Sequence, residues 1–242
     1  MEGDIDLVIF DLDGTLIDTA GEIAAATNDF LACYGWPTLS VDAVSRWIGR
    51  GTRALLAEAI ADATGQSSAE LADSEGFTDY VAAFDRYYDQ HCGTSGELYP
   101  GVREVLDDLD RAGKKLAVVT NKEDRYTQRV LEAHRIADRF EPVISGDSLA
   151  RKKPYPDGIL ACLALNRVTP QRSLFIGDSA IDAETGRNAG VRVWLLPHGY
   201  NMGLPVDEAN ADRIVQDFAE IHCALLASES ERPGTSATGD AA

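Results

Sequence analysis

Lysine is scarce in this chain, which contains only five lysines among its 242 residues. Lysine and arginine together number 22 against 40 aspartates and glutamates, so the formal net charge is −18. A surface of this sign repels polyanions, and the composition therefore argues against nucleic acid as a partner. A small anionic ligand is compatible with this charge only in a pocket where a metal or a few cations dominate locally.

Closely spaced cysteines and long hydrophobic runs are also missing. The four cysteines, at positions 33, 92, 162 and 223, form no C-x-x-C pair, which argues against a disulfide framework or a zinc site and indicates reduced thiols. No stretch approaches the length of a membrane span, and no basic region precedes an apolar one at the N-terminus. We therefore expect a cytoplasmic protein with no membrane partner.

From residue 98 onward the sequence alternates between helix and strand signals. Strands are predicted at 115–119, 142–145, 173–177 and 191–195, with a further edge strand at 212–215. Helices are predicted at 101–112, 124–133, 157–165, 180–189 and 218–226. This alternation is typical of βαβ units, so it predicts an α/β fold with a parallel sheet.

Residues 20–96 have a different pattern, in which apolar residues recur at helical spacing and strand-like runs are absent. They predict an all-helical insert that follows the first strand, with a glycine-containing return linker at 91–96 that can hinge. The predicted organisation is an α/β core at 1–19 and 97–227, a helical cap at 20–96, and a disordered tail at 228–242, where large apolar residues are lacking.

Two aspartates, Asp11 and Asp13, follow the apolar run at 5–10, which is short and rich in β-branched residues. Such a run indicates a buried strand of a parallel sheet, and ligands of open α/β sheets bind at the carboxyl ends of the strands. Gly14 permits a tight turn that lets both carboxylates face one pocket. Adjacent carboxylates repel each other, and a divalent cation bound between them commonly offsets this repulsion.

Further polar residues stand at the other predicted strand ends or near them. Thr120 and Asn121 follow one strand, and Asp178 ends another and opens a helix. Asp182 lies one helical turn after Asp178 on the same face. Lys153 precedes a proline, in a stiff loop that can hold a cation against a carboxylate or a phosphate. Taken singly, each of these residues also fits an ordinary turn, helix cap or solvated surface position.

Together these segments form four motifs in a defined order. Residues 11–19 match D-x-D-G-T-[LV]-x-D-[ST], Thr120 matches a strand-end hydroxyl, Lys153 lies in K-P-x-P, and residues 177–182 match G-D-[ST]-x-x-D. The set resembles the haloacid dehalogenase superfamily of phosphatases and spans nearly the whole chain. That resemblance implies a Rossmann-like parallel sheet with a small all-helical cap, which would exclude water from the site and contact the substrate.

The resemblance also implies a two-step reaction. Asp11 would attack phosphorus to form an aspartyl-phosphate, and Asp13 would protonate the leaving oxygen and then activate water. Mg²⁺ would be held by a carboxylate oxygen of Asp11, the backbone carbonyl of Asp13, Asp178 and several waters, a ligand set that suits this hard ion.

Four further positions have implied roles around the phosphoryl group. Thr120 and Asn121 would hold phosphoryl oxygens, and Lys153 would neutralise the charge of the nucleophile and the incoming phosphate. Asp182 would orient Lys153 or a metal-bound water. The implied substrate is a small anionic phosphoester.

Within the superfamily the chain most resembles bacterial phosphoglycolate phosphatases. The segments that carry this resemblance are 47–51, 98–102, 116–122, 152–156 and 197–201. Arg50 stands where that family often has asparagine between two glycines. We hypothesise that Arg50 or Arg53 binds the carboxylate of 2-phosphoglycolate; the alternative is that both arginines are solvated cap residues.

Other functions remain open or are disfavoured by particular residues. A phosphatase or mutase acting on another small phosphoester, such as a sugar phosphate, shares the same core motifs. Asp13 and Asp178 argue against a dehalogenase, and the absence of lysine from 20–97 argues against a phosphonoacetaldehyde hydrolase, which needs a cap lysine. The presence of Asp13 also disfavours a non-catalytic phosphate-binding regulator. Monomer and homodimer remain equally open.

Overall fold

The computed structural model describes residues 5–226, in which eight strands and ten α-helices form. The strands are β1 Leu7–Phe10, β2 Ile17–Asp18, β3 Glu97–Leu98, β4 Lys115–Val119, β5 Val143–Ile144, β6 Ser173–Gly177, β7 Arg192–Leu195 and β8 Arg213–Ile214. The helices are α1 Ala20–Cys33, α2 Val41–Ser45, α3 Thr52–Thr64, α4 Ser68–Asp73, α5 Phe77–His91, α6 Val102–Arg111, α7 Asp124–Ala133, α8 Asp157–Asn166, α9 Ala180–Ala189 and α10 Phe218–Leu226. The predicted tail at 228–242 and residue 227 of the predicted core lie outside the described residues.

Six strands form one parallel sheet in the order β5-β4-β1-β6-β7-β8, which confirms the predicted α/β class. The central strand β1 is fully buried, with helices on both sides. Val8 and Phe10 belong to an apolar cluster shared with α6, α7 and α10, whereas Leu7 and Ile9 pack in a second cluster with α8 and α9. A strand buried on both faces is continuously apolar, as the sequence of β1 is.

The segment between β2 and β3 is helical, as the apolar spacing predicts, and it contains α1 to α5. Its two ends are joined by a short antiparallel ribbon in which Ile17 pairs with Leu98 and Asp18 with Glu97. The sequence pattern does not predict this ribbon, because a two-residue strand is too short to show alternation. The apolar cluster of α6 and α7 continues into these helices, so they pack onto the sheet layer. That residues 20–96 act as a separate domain stays a prediction.

The return linker is held more firmly than its glycine content predicts. Glu22 on α1 is buried, and its Oε2 accepts hydrogen bonds from the backbone N–H of Gly93 at 2.9 Å and of Gly96 at 3.2 Å. Burial raises the pKa of Glu22, because the charged form loses its water. The linker is therefore fastened to the first helix of the insert.

The described residues also bear on the cysteines and on membrane spans. Cys33, Cys92, Cys162 and Cys223 are all free thiols. No helix within residues 5–226 combines the length and the apolar character needed to cross a membrane.

Candidate active site

The carboxyl ends of three neighbouring strands bring the predicted residues together. Asp11 follows β1, Thr120 follows β4 and Asp178 follows β6, and all three side chains are buried. Because β1 lies between β4 and β6 in register, with Phe10 opposite Val118 and Ile176, these positions are immediate neighbours across the sheet edge. The parallel arrangement thus places three polar side chains at one point.

Lys153 lies between two carboxylates at this point. Its Nζ is 2.7 Å from Asp11 Oδ1 and 2.7 Å from Asp182 Oδ1, and all three side chains are almost inaccessible. Burial alone would lower the pKa of Lys153, but the carboxylates of Asp11 and Asp182 outweigh burial and raise it above its usual value. Lys153 therefore stays charged beside the predicted nucleophile.

The second carboxylate oxygen of Asp182 caps the N-terminus of α9. Asp182 Oδ2 accepts from Asp178 N at 3.2 Å, Ser179 N at 3.1 Å and Ser179 Oγ at 2.6 Å. Ser179 Oγ in turn accepts from the backbone N–H of Asp182, which completes a capping box. Asp182 therefore joins Lys153 to a fixed helix terminus, which suits the predicted role of orienting this lysine.

Replacing Asp182 with alanine is expected to lower the free energy of unfolding by about 3 kcal/mol, because several buried donors lose their acceptor and Lys153 loses one partner. Urea unfolding of the chelator-treated protein measures the loss. Glu184→Ala, on an exposed position of the same helix, is the control and should change stability by no more than about 0.5 kcal/mol. A loss below about 1 kcal/mol for Asp182→Ala would contradict this assignment.

Three carboxylates form a cluster that could hold a cation. Asp11, Asp178 and Asp182 each present an oxygen within 4.8 Å of the others. Burial raises the pKa of Asp11 to about 6 although Lys153 opposes the shift, and burial together with Asp182 and Asp11 raises the pKa of Asp178 well above its usual value. Burial is the main cause of both shifts, and the neighbouring carboxylates add to it, so a bound cation would favour the charged forms.

The donor set at this cluster fits magnesium. Asp11 Oδ1 is buried, and the Lys153 ammonium at 2.7 Å is the contact that the described residues give it. Asp178 keeps one contact at each oxygen, from Thr15 Oγ1 at 3.0 Å and from Tyr200 N at 2.7 Å. Both oxygens of Asp182 are engaged by Lys153 and the α9 cap. Asp11 and Asp178 are therefore the carboxylates best placed to bind a hard, oxygen-preferring ion.

Asp13 points its carboxylate away from this cluster. Its Oδ1 accepts from Thr19 Oγ1 at 2.7 Å, and its two oxygens lie 3.0 and 3.2 Å from the Nζ of Lys122. Its side chain could reach a metal at the cluster only by leaving these partners, which agrees with the predicted use of its backbone carbonyl. Of the two roles predicted for Asp13, metal binding would use its backbone carbonyl and proton donation would use its side-chain carboxylate.

Lys122 and Tyr88 are site residues that the motifs do not identify. Lys122 is buried, and its ammonium contacts Asp13 and the hydroxyl of Tyr88, which comes from α5. Lysine is rare in this chain, and its position two residues after Thr120 was an available signal. Tyr88 offered no comparable signal, because it is one of several aromatic residues at helical spacing.

A small cavity lies between the sheet edge and the inserted helices. Its volume is about 40 Å³, and its core side includes Asp11, Asp13, Thr120 and Lys122. The inserted segment between β2 and β3 contributes mainly apolar side chains, namely Ile23, Trp47, Ile48, Leu55 and Phe84. A volume of this size holds a few waters and is far below that of a typical ligand pocket. In this closed arrangement only a small reacting group fits.

Comparison with known proteins identifies the family. The sequence profile of the haloacid dehalogenase-like hydrolases matches residues 8–196. The chain belongs to this family. It is accordingly an enzyme, a hydrolase of phosphomonoesters, as the motifs predict.

Several relatives of this hydrolase have a more specific name. It is 37% identical over 212 residues to the phosphoglycolate phosphatase of Pseudomonas putida, covering 88% of this chain and 76% of the relative. The phosphoglycolate phosphatase of Nitrosospira multiformis is 38% identical, with 89% and 93% covered. Among solved structures, a predicted phosphoglycolate phosphatase of Haemophilus somnus superposes with a TM-score of 0.83 at 35% identity, covering 90% of this chain and 96% of that one.

The side chain of Asn121 contacts backbone groups in this hydrolase, and a phosphate contact through its backbone N–H stays a prediction. Both protons of its amide are used, one on the carbonyl of Gly49 at 2.8 Å and one on that of Lys153 at 3.0 Å. Its Oδ1 accepts from Lys153 N at 2.9 Å. The side chain therefore ties the Lys153 loop to the turn before α3, and it has no donor left for a phosphoryl oxygen.

The two arginines proposed to bind a carboxylate do not line the cavity. The guanidinium of Arg53 donates to the carbonyl of Ala72 at 2.6 Å and lies 4.7 Å from the ring centre of Phe77, both within the inserted helices. Arg50 is exposed in a neighbouring cleft, and its carbonyl accepts from Lys152 Nζ at 2.8 Å. The geometry therefore does not support direct recognition by either side chain.

Proposed function

We propose that this hydrolase is a magnesium-dependent phosphatase of small anionic phosphomonoesters and that 2-phosphoglycolate is its substrate. The observation that carries the proposal is the placement of Asp11. It lines the cavity beside Lys153 and Asp178, while the carboxylate of Asp13 lines the same cavity outside this cluster, held by Lys122 and Thr19. A candidate nucleophile and a candidate proton donor thus line one cavity, each held by its own lysine.

The reaction follows from these positions in two steps. An Asp11 oxygen attacks phosphorus, the bond to the leaving oxygen breaks, and that oxygen takes a proton from Asp13. Water then attacks the phosphorus of the aspartyl-phosphate and gives a proton to Asp13, and the bond from Asp11 to phosphorus breaks. Lys153 stabilises the negative charge of the phosphoryl group in both steps.

Magnesium would be held by Asp11, Asp178 and the backbone carbonyl of Asp13. When bound, it supplies positive charge to the phosphoryl oxygens. Two side chains of the protein would contact the phosphoryl group as well. Thr120 lines the cavity where that group would bind, and Asp182 orients Lys153 toward it.

The choice of 2-phosphoglycolate is supported by the start of α3. Gly51 and Thr52 line the cavity, and no side chain caps the N-terminus of α3 there. Free backbone N–H groups at a helix N-terminus favour an anion, such as the carboxylate of glycolate. Relatives named as phosphoglycolate phosphatases support the same substrate.

A phosphate-release assay over small phosphoesters tests the proposal. We expect phosphoglycolate to have the highest kcat/KM, and sugar phosphates to be at least about tenfold poorer, since a charge-assisted hydrogen bond is worth roughly 1.5–3 kcal/mol. Preference for a sugar phosphate would overturn the substrate. Absence of any phosphate release would overturn the phosphatase.

The same assay tests whether the N-terminus of α3 binds the anion, by substitution of the glycines at the two ends of this helix. Gly51 and Gly65 both have positive φ, +87° and +75°, but a Cβ at Gly51 would meet Lys152 and Asn121, whereas one at Gly65 would meet nothing within 4 Å. Gly51→Ala should raise KM for phosphoglycolate about tenfold or more. Gly65→Ala should leave KM unchanged, because Gly65 is a left-handed C-cap at the far end of α3 with open space around it. Equal KM values in the two variants would contradict anion binding at this terminus.

A further inference from the structure

Lys122 is a buried cation with a firmly held backbone. Its side chain is 3% exposed. Its carbonyl accepts from Gly146 N at 2.7 Å and from Thr127 Oγ1 at 3.2 Å, so the main chain cannot easily turn. Its ammonium lies at the cavity, where Asp13 of the core and Tyr88 of α5 both contact it.

The carboxylate of Asp13 is held by the Lys122 ammonium. Lys122 Nζ contacts both oxygens of Asp13, and Thr19 donates a second hydrogen bond to Oδ1. The buried carboxylates of Asp11, Asp178 and Asp182 form a separate group that does not include Asp13. Without Lys122, only the Thr19 hydroxyl would keep Asp13 away from any cation bound at that group.

Tyr88 gives Lys122 a contact that depends on the inserted helices. It lies on α5, is buried, and its hydroxyl contacts the ammonium of Lys122, which also lies 5.0 Å from the centre of the Tyr88 ring. The Tyr88 ring packs against Tyr126 of α7 with 4.4 Å between ring centres. This contact can form only when α5 is seated on the core.

We propose that Lys122 is a positioning residue that holds Asp13 toward the leaving group, and that Tyr88 makes this orientation depend on closure of the inserted helices. The inference rests on the proposed phosphatase reaction, in which Asp13 passes a proton to the leaving oxygen. In the open arrangement Lys122 loses the tyrosine hydroxyl, and Asp13 is held less firmly. Proton transfer is thereby favoured only when the site is closed to bulk water.

This role predicts a dependence on the leaving group. An alkoxide such as glycolate leaves poorly and needs the proton from Asp13, whereas p-nitrophenolate is a stable anion that leaves without one. Loss of Asp13 positioning should therefore slow formation of the aspartyl-phosphate from phosphoglycolate but not from p-nitrophenyl phosphate. Damage to Asp11, Lys153 or the metal cluster would slow both reactions.

The test measures the first turnover of Lys122→Met with both substrates in saturating magnesium. For phosphoglycolate we expect a loss of about 100-fold, the size typical of general acid catalysis, with KM within about threefold of wild type. For p-nitrophenyl phosphate we expect a burst of one equivalent of p-nitrophenolate at a rate within about threefold of wild type, followed by slow turnover, because Asp13 also activates water in the second step.

Tyr88→Phe is the second variant, and it keeps both Lys122 and the aromatic ring. We expect about a tenfold slower first turnover of phosphoglycolate and an unchanged burst with p-nitrophenyl phosphate. Lys115→Met, at an exposed position on β4, is the matched control and should behave as wild type with both substrates. If Lys122→Met does not fold, Tyr88→Phe alone decides the question.

Two results would overturn the inference: equal slowing of the first turnover with both substrates, or no slowing with either. Failure of the underlying phosphatase proposal has a different signature, since the wild-type protein would then release no phosphate from either compound. If wild type hydrolyses p-nitrophenyl phosphate but not phosphoglycolate, the alkyl phosphoester that it does hydrolyse replaces phosphoglycolate in the comparison.

Discussion

Asp11→Asn is expected to lower turnover by at least about 10⁴-fold while leaving the protein folded. Asparagine has nearly the same shape as aspartate, but its amide cannot form the aspartyl-phosphate. The fold should tolerate the change because Lys153 keeps its contact with Asp182 at 2.7 Å. In the metal-free protein the variant also removes one of three crowded anions, so we expect stability to be unchanged or slightly higher.

Asp6→Asn is the matched control, because it makes the same chemical change just before β1, at the opposite edge of the sheet. Asp6 forms an exposed ion pair with Arg172, which contributes little to stability. The control should therefore retain wild-type turnover. Steady-state phosphate release and thermal unfolding of both variants complete the measurement. A folded Asp11→Asn variant with wild-type turnover would exclude Asp11 as the nucleophile.

Removal of divalent metal is expected to abolish phosphate release, and magnesium should restore it. The physical reason is the charge at the cluster: Asp11, Asp178 and Asp182 lie within 4.8 Å of one another and share one ammonium, that of Lys153. An incoming dianionic phosphoester adds further negative charge, which only a cation can offset. Calcium should inhibit, because it prefers more ligands and longer bonds than magnesium.

Stability provides a second measurement that does not depend on turnover. Magnesium that binds only the folded protein should stabilise it by about 2.7 kcal/mol at a concentration one hundred times its Kd. Asp178→Asn should lose this stabilisation, whereas Glu184→Asn, an exposed change on α9, should keep it. Full phosphate release in excess chelator, with no thermal shift on adding magnesium, would contradict the metal site.

Much of the fold and part of the site were predictable because their signals are local. The alternation of helix and strand patterns predicts β1, β4 and β6 and the parallel sheet, and parallel neighbours carry their terminal residues to one edge. Asp11, Thr120 and Asp178 meet for this reason. The spacing of Asp182 after Asp178, one helical turn, likewise places both at the start of α9 before any tertiary contact is known.

Other features depended on contacts between residues far apart in the chain. The sequence alone does not show which side chain Lys122 faces, because its partners Asp13 and Tyr88 are 109 and 34 residues away. The directions of Arg53 and Asn121 were also undetermined. Arg53 finds Ala72 only once the inserted helices have packed together, and Asn121 finds Gly49 only once they have packed on the core.

The sequence by itself determined the family, the class of fold and the chemistry at the strand ends, since these follow from motifs and periodicities within short windows. The tertiary structure alone decided how tightly the site closes and what holds Asp13. A carboxylate at the end of a strand can turn toward a metal cluster or toward a cation on a neighbouring loop. Packing of α5 against α7 and the loop after β4 favours the second orientation, because Lys122 is buried there with Asp13 and Tyr88 as polar partners.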